Sequence, residues 1–283
     1  MNTRTSKRVL STIFQSLLVL LTIVIYLVPY YFVIINSAKT KKESARMTIQ
    51  PPSDFSFSQV WENYHEVLTA DKFLVLRAFR NSIILSVVSV VLVIVFASML
   101  AYIIQRRKDK LSNMLNYFIL AGLIVPVSIV PTARMLQFLH LNGMLLGLIL
   151  VEIATQISFA TILFRGYFPS IPREIDEAAI LDGCGPLRLF GSVILPLSKP
   201  IISTVIVLCS LHVYNDFTNP LYFLPGSKNT TVQLSINQFY GMYESSWNLI
   251  FADVVLISIP MLVLYMIFNK RIEAGMVSGA VKG

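Results

Sequence analysis

The sequence predicts an all-α protein that crosses a membrane about six times. Three observations carry that prediction. Hydrophobic residues make up 55% of the 283-residue chain, charged residues only 13%, and mean hydropathy is +0.70. A soluble globular domain carries about 25% charged residues. Apolar runs recur at 10–35, 81–104, 113–134, 143–164, 199–218 and 249–269, and one crossing needs roughly 20 such residues. Basic residues gather beside these runs, which is the pattern of topology signals. The formal charge of +8 is therefore read as orientation rather than as a nucleic-acid surface.

The first run follows Arg4, Lys7 and Arg8. It is too long for a signal-peptide core, and no small-residue cleavage site follows it, so it is expected to be an uncleaved first membrane helix. Residues 36–80 then form a long loop with Pro51-Pro52, Trp61 and Tyr64. Placing the N-terminus in the cytoplasm puts this loop outside. The inner segments then carry Arg106, Arg107, Lys108 and Lys110, then Arg165, Arg173, Arg188 and Lys199, then Lys270, Arg271 and Lys282. The short outer loops carry only Arg134 and Lys228. The basic residues of the 36–80 loop run against this orientation, but long loops count less. The expected topology has six crossings and both termini cytoplasmic, as one membrane domain over 1–283.

Inside the third run, Pro126 and Pro131 are expected to kink a helix, as is Pro260 in the sixth. The fourth run carries Glu152 and Gln156 one turn apart. His212, Asn215, Asp216 and Asn219 fall near the outer end of the fifth, and Asp253 near the start of the sixth. Polar groups at membrane depth are costly and mark candidate functional positions. Such groups suit a path for a polar solute, so the first six are candidate substrate-path residues. The bland reading is that each caps a helix or bonds a neighbouring one. The two cysteines, Cys184 and Cys209, sit in a polar loop and an apolar run, which predicts neither a disulfide nor a metal site.

The polar loop at 165–198 is the most informative stretch. Ser170 and Pro172 suit a helix start. Glu174, Asp176 and Glu177 follow in the first turns, where acidic groups favour the helix dipole. Gly183 and Gly185-Pro186 end that helix, and a second short helix is expected from Pro186 to about Val193, closed by Pro196. Pro200 falls in the first turn of the next membrane helix. Glu177-Ala178-Ala179, then Gly183, then Leu195-Pro196 reproduce the spacing E-A-A-x3-G-x9-I-x-L-P, with Val193 in place of Ile. An E-A-A tripeptide alone is an ordinary solvated helix face. The full spacing in a loop between membrane runs is specific.

This loop resembles the cytoplasmic coupling loop of ABC importer membrane subunits. The resemblance covers nearly the whole chain and is nearest in kind to the smaller permease subunit of maltose-type, carbohydrate-uptake systems. Asn81-Ser82 opening the second helix fits that family. Tyr214-Asn215-Asp216-Phe217 with Pro220-Leu221 resembles its W-N-[DE]-F…P-L stretch, with Tyr for Trp, and Gly279-Ala280-Val281-Lys282-Gly283 its tail.

The resemblance implies a permease that pairs with a second, related permease subunit, two ATPase subunits and an extracellular solute-binding protein. It implies coupling to the ATPase through Glu177, Ala178, Ala179, Asp182, Gly183, Leu195 and Pro196. It implies a tail contact with the ATPases through Gly279, Ala280, Val281 and Lys282, and a bacterial inner or plasma membrane. The cargo would be an oligosaccharide or glycoside. A polyol phosphate or peptide permease and an ion-driven secondary transporter are the alternatives.

No G-x4-G-K-[ST] phosphate loop occurs in the chain. ATP and magnesium are therefore expected in the partner ATPases, with no cofactor held here. The chain is not expected to be an enzyme, and His65, His140 and His212 lie far apart in sequence.

Overall fold

A computed structural model of the chain describes residues 3–226, 228–240 and 245–280, with side chains described from 12 to 269 among these. Among the described residues the regular structure is entirely helical. Four helices are long and apolar enough to cross a membrane, and six spans result if two bent pairs each count as one. The chain divides into two compact units, Met1–Val75 with Ser235–Ser258, and Leu76–Leu234 with Ile259–Gly283.

The first unit begins with α1 (Thr3–Ser37). From Thr12 to Ser37 its most apolar window is entirely unburied within the chain, as expected of a surface meant for lipid or a partner helix. A short α2 (Lys41–Ser44) follows, capped by Thr40. The 36–80 stretch, expected as a loop, is largely helical. The helix α3 (Phe57–Arg106) starts inside it and runs on through the second membrane span. Four non-helical residues, Ala70 to Phe73, interrupt α3, the last three with φ between 44° and 62°.

Polar side chains tie this unit together. Lys39 is 2% exposed. Its Nζ donates to Asn36 Oδ1 (2.9 Å) and to the Thr48 carbonyl (2.7 Å). Burial pulls its pKa below the ordinary lysine range. Asn63 donates to the carbonyls of Ser37 and Lys39, both at 2.9 Å, and accepts from Asn248 (2.8 Å). Asp253 is fully buried and accepts from Ser235 Oγ (2.8 Å). Both residues fall in the unit's second segment, where α12 (Val232–Ser235) ends and α13 (Trp247–Ala280) starts.

In the second unit α4 (Lys110–Ile124) is capped by Asp109, whose carboxylate accepts from the Ser112 N–H at 2.9 Å. That bond holds the Asp109 carboxyl below its ordinary pKa. After α4 the third span does not continue. It turns by 118° into α5 (Ile129–Phe138). Pro126 causes the break, because a proline pushes the preceding residue out of the helical region, and Val125 adopts φ −75°, ψ 115°. The kink expected in 113–134 is thus a break of 118° at Pro126, while Pro131 sits harmlessly in the first turn of α5.

The helix α6 (Leu145–Tyr167) packs against α4 and against α10 (Lys199–Asn215). A Cβ on Gly122 of α4 would run into Ser158 of α6, so the glycine sets the closest approach of those helices. At one end of the pair Arg165 donates to Asn116. The main core cluster takes Val90, Val93, Ala97 and Ala101 from α3, a stripe at helical spacing. It adds Ala160 and Phe164 from α6, and Ile201, Val205 and Cys209 from α10. The same cluster continues into the 165–198 segment through Phe168, Ile171, Ala179, Leu189 and Ile194. Cys184 and Cys209 are both free thiols.

Candidate functional site

The Glu-Ala-Ala stretch lies on α7 (Arg173–Leu181). Pro172 is its N-cap, and Ser170 does not cap it. The Ser170 hydroxyl donates to the Tyr167 carbonyl instead, because a short 3-10 turn over Phe168–Ser170 intervenes. At the other end Gly183 takes φ +81°. Cys184 N–H donates to the Ala179 carbonyl and Gly183 N–H to Ile180, both at 3.0 Å. This is a Schellman turn, and it needs a left-handed residue at the glycine. A Cβ there would meet nothing, so backbone angle alone demands glycine.

The second short helix begins as expected, with α8 (Pro186–Leu189). It does not stop at Pro196. A π-turn over Phe190–Ile194 and a further turn α9 (Leu195–Leu197) carry it to Ser198. The π-turn over Phe190–Ile194 immediately precedes Pro196, so the helix passes the proline where its backbone bonding is already widened. The chain then bends by 79° into α10.

The two sides of this hairpin differ. Ala179, Leu189 and Ile194 are buried in the core cluster. Glu177, Ala178, Asp182, Gly183 and Pro196 are exposed, and Leu195 is half-buried. Leu181 is 88% and Leu187 78% exposed, with Ile180 beside them. Three aliphatic side chains at the tip of a polar segment form an apolar patch without a cover among the described residues.

One contact was not legible in the sequence. Arg106, at the end of α3, pairs with Asp176 on α7 at 2.7 Å, and both side chains are about one-eighth exposed. Arg106 also donates to the Ile171 carbonyl (3.0 Å), and Tyr102 donates to Asp176 (3.1 Å). Arg173 reaches back to the Gln105 carbonyl (3.3 Å). Asp176 reads in sequence as a dipole-favouring first-turn acid, but here it latches α7 to the end of a membrane helix. The partners lie 70 residues apart, a distance that spacing cannot register.

A second feature is a cavity of about 940 Å3 between α4, α5, α6 and α10. Its volume falls at the upper end of the roughly 300–1,000 Å3 of small-molecule sites. Gln156, His212, Asp216 and Asn219 line it. The structure thus gathers four of the six candidate path residues. Glu152 is fully buried behind them, accepting from Asn219 Nδ2 (3.4 Å) and meeting the Asp216 carboxyl. Asn215 points elsewhere and accepts from Gln233 (3.2 Å). One carboxylate oxygen of Asp216 caps α11 (Thr218–Phe223), accepting from Thr218 N–H (2.9 Å) and Asn219 N–H (3.3 Å). The sequence reading missed Ser128 and Thr132, which reach the cavity because α5 folds back. The tail residues Gly279, Ala280, Val281 and Lys282 lie outside the described residues and side chains.

Among the described residues the chain is thus a helical membrane protein with an interhelical cavity and a polar hairpin joined to its core. Residues 93–278 match the family described as "Binding-protein-dependent transport system inner membrane component". The chain belongs to that family, the inner-membrane permeases of ABC transporters.

Among its relatives is the melibiose/raffinose/stachyose import permease protein MelC of Bacillus subtilis, 30% identical over 91% of this chain and 92% of that one. Another is the multiple sugar-binding transport system permease protein MsmG of Streptococcus mutans, 32% identical over 93% of this chain and 95% of that one. The fold matches a chain of a bacterial ABC transporter involved in the import of the acidic polysaccharide alginate. That match has a TM-score of 0.82 and 21% identity, and covers 95% of this chain and 98% of that one.

Proposed function

We propose that this chain is one half of the membrane path of an ATP-driven carbohydrate importer, coupled through the Arg173–Leu197 segment to separate ATPase subunits. The carbohydrate assignment is supported by the sugar permeases among its full-length relatives. The observation that carries the coupling assignment is the apolar tip of Ile180, Leu181 and Leu187 on a hairpin whose inner side is packed into the membrane core. Burying one such leucine contributes roughly 1.5–3 kcal/mol, so the tip alone can anchor a partner. Glu177, Ala178, Asp182 and Gly183 complete that surface, and Ala178 lets the partner approach closely.

In this reading the hairpin faces the cytoplasm, as do both termini. A second permease of the same type pairs with the chain. Two ATPase subunits supply ATP and magnesium, and a binding protein delivers the solute from outside. ATP-driven closure of the ATPases moves α7, and the shared core passes that movement to α3, α6 and α10. The chain itself catalyses no reaction. Membership of a binding-protein-dependent family sets the ion-driven alternative aside.

Uptake of radiolabelled raffinose into cells carrying the whole system tests the reading. The expected result is accumulation that requires both the binding protein and ATP. Accumulation driven by an ion gradient in the absence of the ATPases would overturn it.

A further inference from the structure

The lining of the interhelical cavity points to its ligand class. We propose that the cavity takes an uncharged saccharide and rejects solutes bearing carboxylate or phosphate groups. This rests on the import reading above.

Gln156 carries the first part of the argument. It lines the cavity, is only 6% exposed, and shows no hydrogen-bond partner among the described residues. Its amide atoms are not among the fully buried unpartnered ones, so they open on the cavity, and a group that enters and bonds them gains about 0.5–1.5 kcal/mol. Its carboxamide offers both donors and an acceptor, which is what a sugar hydroxyl needs. His212 and Asn219 add further donors and acceptors, and Thr132 of α5 adds a hydroxyl-bearing residue to the lining. Most of the remaining wall is apolar, with Pro126, Met135 and Leu150 among its residues. Apolar walls with a few convergent polar groups suit the C–H faces and hydroxyls of a pyranose.

The charge balance carries the second part. No Lys or Arg occurs among the described lining residues. The only formally charged group on the wall is the Asp216 carboxyl, and Glu152 stands directly behind it with a second. One oxygen of each, Glu152 Oε2 and Asp216 Oδ2, is buried with no hydrogen-bond partner. The amide N–H groups nearest Asp216 are already used, because they bond its other oxygen. An incoming uronate or phosphate would find no cation and would meet the Asp216 carboxyl on the wall. A like charge this close raises the energy of the bound anion. An unpaired charge taken from water has no compensation there. Neutral hydroxyls face neither penalty.

Saturation-transfer NMR on the assembled transporter tests this, with the complex solubilised in mild detergent without its binding protein and held with ATP and vanadate. The probes are raffinose, maltotriose and trigalacturonate. Transfer to the neutral trisaccharides and none to trigalacturonate is expected. In Gln156→Ala the neutral signal should fall about fivefold, the loss of one neutral hydrogen bond. In Leu150→Trp, which fills the cavity from its apolar side, the signal should vanish. Co-elution of all subunits confirms that each variant has assembled.

Equal transfer to trigalacturonate, or an undiminished neutral signal in both variants, would overturn the proposal. Raffinose uptake in cells separates this from the parent reading. Uptake with no transfer signal sinks the cavity assignment and leaves carbohydrate import standing. Absence of all saccharide uptake sinks both.

Discussion

Asp176 and Gly183 show how single residues fix the Arg173–Leu197 hairpin. Asp176 is largely buried against Arg106 and Tyr102. Removing one partner of such a pair costs roughly 3–5 kcal/mol, because the other charge is left buried. Asp176→Ala is expected to lower the thermal midpoint of the purified complex and to reduce solute-stimulated ATP hydrolysis, while Asp176→Glu restores much of both. A Glu variant no better than Ala would show that the carboxylate contact is not what matters.

Gly183 is governed by backbone alone. Gly183→Ala should cost about 1–2 kcal/mol, since a Cβ disfavours its φ of +81°. Gly191, where a Cβ also meets nothing and φ is not positive, should accept alanine without loss. Equal midpoints for the two variants would contradict the assignment. The glycine turn was legible, because only a few residue types tolerate that geometry. The Asp176–Arg106 latch was not, because it joins positions far apart in sequence.

At the scale of elements, the contact between α4 and α6 is set by Gly122 against Ser158. Overfilling a tight contact typically costs about 1–3 kcal/mol. Gly122→Ala is expected to lower the thermal midpoint, and Ser158→Ala in the same chain to restore it. Additive losses in the double variant would place the defect elsewhere.

Hydropathy located the third span but not its course, because a sliding window averages over Val125–Ser128, where one proline turns the chain by 118°. That turn has a consequence for the cavity, since it brings Ser128 and Thr132 into the same lining as Gln156. The continuation of the second interfacial helix past Pro196 escaped for a related reason. Proline ends a helix by default, yet the π-turn just before Pro196 lets the helix pass it. Helix periodicity did place Glu152 and Gln156 one turn apart, and in the structure Gln156 lines the cavity while Glu152 is buried behind it.

For the whole molecule, composition and apolar runs were sufficient to read an all-helical membrane chain of about six crossings. The structure has four long spans, or six if each bent pair counts as one. The permease reading came from the loop motif, and family membership agrees with it. Composition and apolar runs were not sufficient for the 36–80 stretch, where polar sequence concealed the start of α3. Orientation rests on the placement of Lys and Arg, and it can be measured in a background of Cys184→Ser and Cys209→Ala. An impermeant maleimide added to intact cells should label Asp54→Cys and spare Ser192→Cys, both exposed positions. The reverse pattern would invert the topology and remove the hairpin from reach of any cytoplasmic ATPase.

The central claim is that the exposed tip of α7 and α8 joins this chain to its ATPase. The most direct measurement is co-purification from membranes in mild detergent, comparing the natural chain with Glu177→Lys and with Leu181→Asp. The account expects the natural chain to retain a second permease and an ATPase subunit. Both variants should keep the permease and lose the ATPase. An ATPase retained at full stoichiometry by both variants would contradict it.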